Sequence, residues 1–135
     1  MNQLVSPDLV KKMVTIRRDL HQHPELSGQE VRTAEAIVQF LKNAGFTNIS
    51  QVAKTGVVAE LSGPSHVPCV ILRADTDALP IQEETNLEFS SINEGIMHAC
   101  GHDGHTAMLL GAAELLAKEP QLAAPVRFIF QPSEE

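Results

Sequence analysis

Apolar residues recur at helical spacing through Leu9, Val10, Met13, Ile16 and Leu20, directly behind Ser6-Pro7-Asp8. A serine followed by proline suits an N-cap and the first helical position. The pattern therefore predicts a helix from about Pro7 to His21, ended by His23-Pro24. A second apolar stripe, Val31, Ala34, Ile37, Val38 and Leu41, predicts another amphipathic helix. Ser27-Gly28-Gln29-Glu30 in front of it has the form of a capping box, and Gly45 behind it that of a C′ glycine.

The pattern then turns to short β-branched and apolar runs separated by Gly, Pro and Ser. Ile49–Val52, Val57–Leu61 and Cys69–Ala74 read as strands. Cys69-Val70-Ile71-Leu72 is apolar at every position, which predicts a strand covered on both faces. Leu79–Ile96 is irregular, with one short extended piece expected near Leu87–Ser90. A third helix is predicted over Thr106–Lys118, ended by Glu119-Pro120, and a buried strand over Val126–Phe130, ended by Pro132. This order implies an α/β domain with a largely parallel or mixed sheet and helices on its faces. Ligands of such sheets bind beyond the carboxyl ends of strands. Asp75 and Asp77 follow one strand, Glu134 and Glu135 another, and the loop Met97–His105 is placed to close over the same edge. Three separate stretches thus converge on one expected crevice.

Composition narrows the function classes. The 135 residues, 43% hydrophobic and 20% charged, suit one ordinary globular domain. A net charge of −7 without a basic run argues against nucleic acid as a partner. Five Phe with no Trp or Tyr leave few stacking platforms for bases. No apolar stretch approaches the roughly 20 residues of a membrane span, and Met1–Asp8 carries neither a charged n-region nor an apolar h-region. The two cysteines, Cys69 and Cys100, make no disulfide framework. A reducing, cytoplasmic setting is the expectation, with Cys100 free to ligate metal.

The chemistry concentrates in Met97-His98-Ala99-Cys100-Gly101-His102-Asp103-Gly104-His105, where a thiol, three imidazoles and a carboxylate share nine residues. Ligands this dense on a glycine-bent loop entering a helix are what a transition-metal site needs. Two other readings stay open: Cys100 as a small core residue among capping histidines, or Cys100 as a nucleophile activated by histidine. Asp103 either caps the third helix or orients a metal-bound imidazole. For His98 and His105 the expectation is a place behind a ligand or facing substrate, with neither role decided. In Arg73–Pro80, Asp75 is the expected outer-shell carboxylate behind a ligating imidazole, against a purely structural Arg–Asp pair. Glu134-Glu135 follows a buried strand and Pro132, where one acid can hold an ion while the other takes a proton from water. The mixed charges of Arg17–Glu25 suit the end of a helix more than catalysis.

Taken in order, these segments resemble the start of the M20 metallopeptidases, in the aminoacylase/amidohydrolase branch with hippurate hydrolases and indole-acetyl-amino-acid hydrolases. The resemblance runs through Arg17–Leu26, Gly56–Ala59, Arg73–Pro80, Met97–Gly111 and Phe130–Glu135, nearly the whole chain. It implies a zinc-peptidase-like mixed sheet with helices on both faces, and two divalent ions, zinc, manganese or similar. It further implies Cys100, His102 and Glu135 as metal ligands, Glu134 as general base and Asp75 behind the site. The implied reaction is hydrolysis of the amide of an N-acyl amino acid or peptide. Dipeptidase or N-acetyl-intermediate deacetylase activity, or a non-catalytic metal-binding role, are the alternatives. Members of the family are close to three times this length, with two further ligating histidines and a satellite dimerisation domain. Residues 1–135 are therefore expected to be the N-terminal part of a catalytic domain whose parent is a homodimer. Lacking the remaining ligands, these 135 residues are expected to show negligible amidase activity; metal-dependent release of amino acid from an N-acyl amino acid by the isolated chain would contradict this.

Overall fold

The computed structural model describes residues 5–135; residues 1–4, part of the stretch read above for a leader, lie outside it. The elements run α1 (Pro7–Gln22), α2 (Val31–Asn43), β1 (Ile49–Val52), β2 (Gly56–Leu61), β3 (Val70–Asp75), α3 (His102–Ala117) and β4 (Val126–Gln131). Ser6 caps α1 as expected, its Oγ accepting from Leu9 N at 3.2 Å. Gly45 adopts φ 94° and closes α2, with Phe46 N donating to Leu41 O at 3.0 Å.

The strands form one mixed sheet in the order β1-β2-β4-β3. β1 and β2 make an antiparallel hairpin, β2 pairs antiparallel with β4, and β4 runs parallel to β3. The parallel pair is joined through α3, so the carboxyl ends of β3 and β4 and the amino end of α3 meet at one edge of the sheet. This is the crevice the sequence anticipated.

Strand alternation places Val57, Ala59, Ala74, Val126, Phe128 and Phe130 on one face. They pack against Ala34, Ile37 and Leu41 of α2 and Leu109, Leu110 and Ala113 of α3. Phe128 is fully buried, and its ring meets Phe46 edge-on at 5.5 Å between centroids. α1 packs on α3 rather than directly on the sheet.

Several expectations give way. The helices of the described residues pack on one face of the mixed sheet, so the expected helical layers are present here only in part. The other face carries the Arg127–Glu60 and Arg73–Asp75 ion pairs, with Ile71 left 56% exposed. β3 starts at Val70, and Ile71 points to the face that no helix of the described residues covers, so the apolar run is open to solvent there instead of covered on both faces. Residues 87–90 form a turn closed by Ser90 N to Leu87 O at 3.0 Å, not an extended piece. α3 begins four residues before the predicted Thr106, because His102–His105 are helical without adding to the apolar stripe. Ser27 and Glu30 form no capping box: Glu25 satisfies the first amides of α2, from Arg32 N at 3.1 Å and Thr33 N at 2.8 Å. Among the described residues, no helix is long and apolar enough to cross a membrane.

Phe128→Ala removes a fully buried ring at the sheet–helix interface. It is expected to lower the unfolding free energy by about 3–5 kcal/mol, read by urea titration against the parent chain.

Candidate metal centre

Gly101 takes φ 82°, a left-handed conformation that turns the Met97–Gly101 loop abruptly into α3. The turn brings Cys100, just before the helix, and His102, its first residue, to the same end of the sheet. From β4 the chain passes Pro132 and Ser133 and delivers Glu134 and Glu135 to that end as well.

Two groups of side chains converge there. Ligand atoms of Cys100, His102 and Glu135 all lie within 4.8 Å of one another, and so do those of Asp75, His102 and Glu134. His102 Nε2 is 3.9 Å from Glu134 Oε2. The other ring nitrogen, Nδ1, lies 2.9 Å from the backbone oxygen of Asp77 and 3.2 Å from its Oδ1. A proton held on Nδ1 by Asp77 leaves the Nε2 lone pair directed into the cluster, the tautomer a metal ligand requires. A thiol, an imidazole and carboxylates at this separation match the donor preferences of zinc and similar divalent ions. The residues present therefore fit such an ion, and the structure holds two candidate divalent-metal positions sharing His102.

Electrostatics favour a cation over the alternatives. A hydrogen bond to the Glu135 carboxylate, slight desolvation and the charges of Glu135, Glu134 and Asp77 together raise the Cys100 thiol pKa. Nucleophilic cysteines sit in electropositive surroundings that lower their pKa; this thiol has the opposite environment. It is also exposed, which removes the reading as a core residue. A bound divalent cation inverts the local field and makes the thiolate a ligand.

The buried carboxylate behind His102 is Asp77, where the sequence pointed to Asp75. Burial pushes the Asp77 carboxyl upward, but the Glu135 amide at 3.0 Å, the Ser27 hydroxyl at 2.7 Å and the charge of His102 outweigh it and hold its pKa below the ordinary carboxylate value. Asp75, at the end of β3, pairs with Arg73 at 2.6 Å while also lying in the second donor group. The distinction escaped the sequence because both acids follow the same strand two residues apart. Only the backbone path past Asp75 decides which turns inward.

Asp103 neither caps α3 nor faces the ligating imidazole. It lies inside the first helical turn, where its Oδ2 is ion-paired with Arg17 Nε at 2.7 Å and hydrogen-bonded to His21 Nδ1 at 2.8 Å. His21 reaches Glu83 with its other nitrogen at 3.1 Å. The Arg17–Glu25 segment is thus structural, as read, but ties α1 to the helix that carries His102. Its signal was the pair of basic side chains at Arg17 and His21, one helical turn apart. His98 is buried, with neither ring nitrogen hydrogen-bonded, and burial lowers its pKa to about 4 against the opposing charge of Asp103. His105 is exposed, its ring centroid 6.0 Å from that of His102.

Burial would raise the Glu83 carboxyl, but the Ser91 amide, the Thr85 hydroxyl and His21 overcome it and hold the pKa at about 2. Its folded pKa lies below the unfolded value, so its contribution is complete above the ordinary carboxylate range and disappears as pH falls toward 2. Glu83→Gln is expected to flatten the loss of stability between about pH 5 and pH 2, measured by chemical denaturation across that range; an unchanged slope would contradict it.

The comparisons with known proteins agree with this geometry. The profile of Peptidase family M20/M25/M40 matches residues 71–135. N-acetylcysteine deacetylase of Bacillus subtilis is 51% identical over 127 residues, covering 92% of this chain and 33% of that protein. Hippurate hydrolase of Campylobacter jejuni is 44% identical over 128 residues, covering 95% of this chain and 33% of that protein. The crystal structure of a dinuclear metal-binding M20 peptidase from Bacillus subtilis superposes with a TM-score of 0.90 at 49% identity, over 96% of this chain and 37% of that one. The chain thus spans about a third of the length of the curated relatives it matches. With matching sequence and fold, the chain belongs to the M20 metallopeptidase family, as an aminoacylase- and amidohydrolase-like member corresponding to part of the full-length relatives.

Proposed function

We propose that this chain forms one wall of a metal-dependent amidohydrolase acting on N-acyl amino acids, and that residues 1–135 are the N-terminal part of its catalytic domain. The observation that carries the reading is the meeting of Cys100, His102 and Glu135 within 4.8 Å, beside a second acid, Glu134, on the same imidazole. Relatives bearing the names N-acetylcysteine deacetylase and hippurate hydrolase both act, by those names, on small acylated amino acids, which supports that substrate class.

In this reading Cys100, His102 and Glu135 hold a divalent ion, and Asp77 fixes the tautomer of His102. Asp75, restrained by Arg73, is a member of the second donor group with His102 and Glu134. When bound, the metal supplies Lewis-acid polarisation of the scissile carbonyl and lowers the pKa of water. Glu134, 41% exposed and not otherwise ion-paired beyond His102, is free to turn toward substrate. It takes a proton from the attacking water as the new C–O bond forms. It then returns that proton to the amide nitrogen as the C–N bond breaks, so the amine leaves neutral. Such a proton carrier contributes typically 10²–10⁴-fold in rate. The remaining ligands and the pocket that selects the acyl group belong, in this proposal, to further chain of a longer, homodimeric cytoplasmic protein without nucleic-acid or membrane partners.

The test is elemental analysis of the chain purified without added metal and after dialysis against zinc or manganese. The parent chain is expected to retain a divalent ion, and Cys100→Ala and Glu135→Ala to lose most of it while remaining folded. Equal metal content in the parent and both variants would overturn the assignment.

A further inference from the structure

We infer that Glu30, far from the metal-binding loop in sequence, is a positioning residue that aims the Glu134-Glu135 pair; the inference rests on the reading of Glu135 as a metal ligand. Glu30 is fully buried, and both of its carboxylate oxygens are engaged. Oε2 accepts from Thr55 Oγ1 at 2.7 Å, and Oε1 accepts from Ser133 N at 2.8 Å.

Ser133 is the pivot of the segment. It is the last residue before the two acids and takes φ 54°, the left-handed region that costs a non-glycine residue on the order of 1 kcal/mol or more. Such a conformation persists only where its surroundings impose it. On one side Pro132 packs against Gly56, where an added Cβ would lie 3.0 Å from Pro132 Cδ and 2.9 Å from Val52 O. On the other side the Ser133 amide is held by Glu30. Two residues on, Glu135 N donates to Asp77 Oδ2 at 3.0 Å, and Glu135 O accepts from Ser27 Oγ at 3.1 Å. Glu134 is thus bracketed by two anchored amides, and its direction follows from them.

The stretch Ser27–Glu30, which has the form of a helix cap, is turned instead toward the strand end. Ser27 holds Glu135 and Asp77, and Glu30 holds Ser133. Glu30 lies at the start of α2 and Thr55 in the β1–β2 turn. The placement of the acids is therefore referred to parts of the fold that contribute no ligand. Reach matters here more than charge: one side chain has to span from Thr55 to Ser133.

Two variants separate these properties. Glu30→Gln keeps the reach and removes the charge, and Glu30→Asp keeps the charge and shortens the reach. With Co²⁺ as probe and thiolate-to-metal absorption as readout, on chains verified as folded by circular dichroism, E30D is expected to weaken binding about tenfold and E30Q to stay within about twofold of the parent. On a Glu135→Ala background the effect of E30D is expected to shrink to within about twofold, because the two residues act on one contact. A folded E30D chain that binds Co²⁺ like the parent, or loses the same factor on both backgrounds, would overturn the inference. If the parent takes up no Co²⁺, the metal assignment fails and amide exchange decides this one. Faster exchange at Ser133 and Glu135 in E30D supports it, and unchanged exchange at both refutes it.

Discussion

A buried carboxylate has to be compensated, and in this chain the compensation of Asp77 draws the site together. Its Oδ2 takes the Ser27 hydroxyl and the Glu135 amide, while its backbone oxygen and Oδ1 face His102 Nδ1. Those partners come from the segment before α2, the stretch after β4 and the first turn of α3. An unpaired charge at this depth would cost several kcal/mol, so the three segments are held in register by the requirement to satisfy one acid. The Glu135 amide and the Ser27 hydroxyl satisfy Oδ2 and hold the Asp77 pKa below its ordinary value against the upward push of burial, while Oδ1, 3.2 Å from His102 Nδ1, has no hydrogen-bond partner. The same contacts orient the imidazole that both donor groups share.

A second buried acid does comparable work on the far side of α3. Asp103 collects Arg17 and His21 from α1, and His21 extends the chain of contacts to Glu83 and its loop. His102 and Asp103 are adjacent, so the start of α3 is fixed from two directions: toward the sheet by Asp77 and toward α1 by Asp103. Hydrogen-bonded charged groups of this kind specify geometry more than they add stability, since desolvation offsets much of their attraction. The apolar core around Phe128 supplies the cohesion, and the acids supply the register.

Much of this was legible in the sequence because helical periodicity, strand runs and punctuation by Gly and Pro all follow local rules. The pattern locates every helix and strand of the described residues and adds an extended piece at Leu87–Ser90 where the chain turns, and the crevice follows from which strand ends carry acids. What escaped depends on neighbours the chain does not announce. The apolar run Val70–Leu72 looks like a doubly covered strand, yet Ile71 points to the face that no helix of the described residues covers. Ser27 and Glu30 look like a cap, yet Glu25 reaches the free amides first and leaves both side chains to the strand end. Asp75 and Asp77 are equivalent by composition and spacing. A backbone turn of two residues separates the one paired with Arg73 from the one buried against His102. The density of Cys and His in Met97–His105 identified the chemistry, while the left-handed Gly101 decides which of those residues enter the helix.

The charge balance at the sheet end gives the arrangement its direction. Asp75, Asp77, Glu134 and Glu135 gather around His102, with Cys100 as a further potential anion and Arg73 already committed to Asp75. Like charges this close repel one another, and Glu135, first through its hydrogen bond to the thiol and then through its charge, raises the Cys100 pKa. Folding nevertheless holds them close: the Ser27 hydroxyl and the Glu135 amide donate to Asp77 from its outer side, and the Ser133 amide, just before the glutamate pair, donates to Glu30. Donors on the outside leave the inward lone pairs unspent. A cluster built to be self-sufficient would pair them with arginine or lysine, as Glu60 and Glu114 are paired elsewhere in this chain. Among the described residues, no side chain but His102 is ion-paired with Glu134, and none with Glu135, which leaves their lone pairs available to a divalent ion.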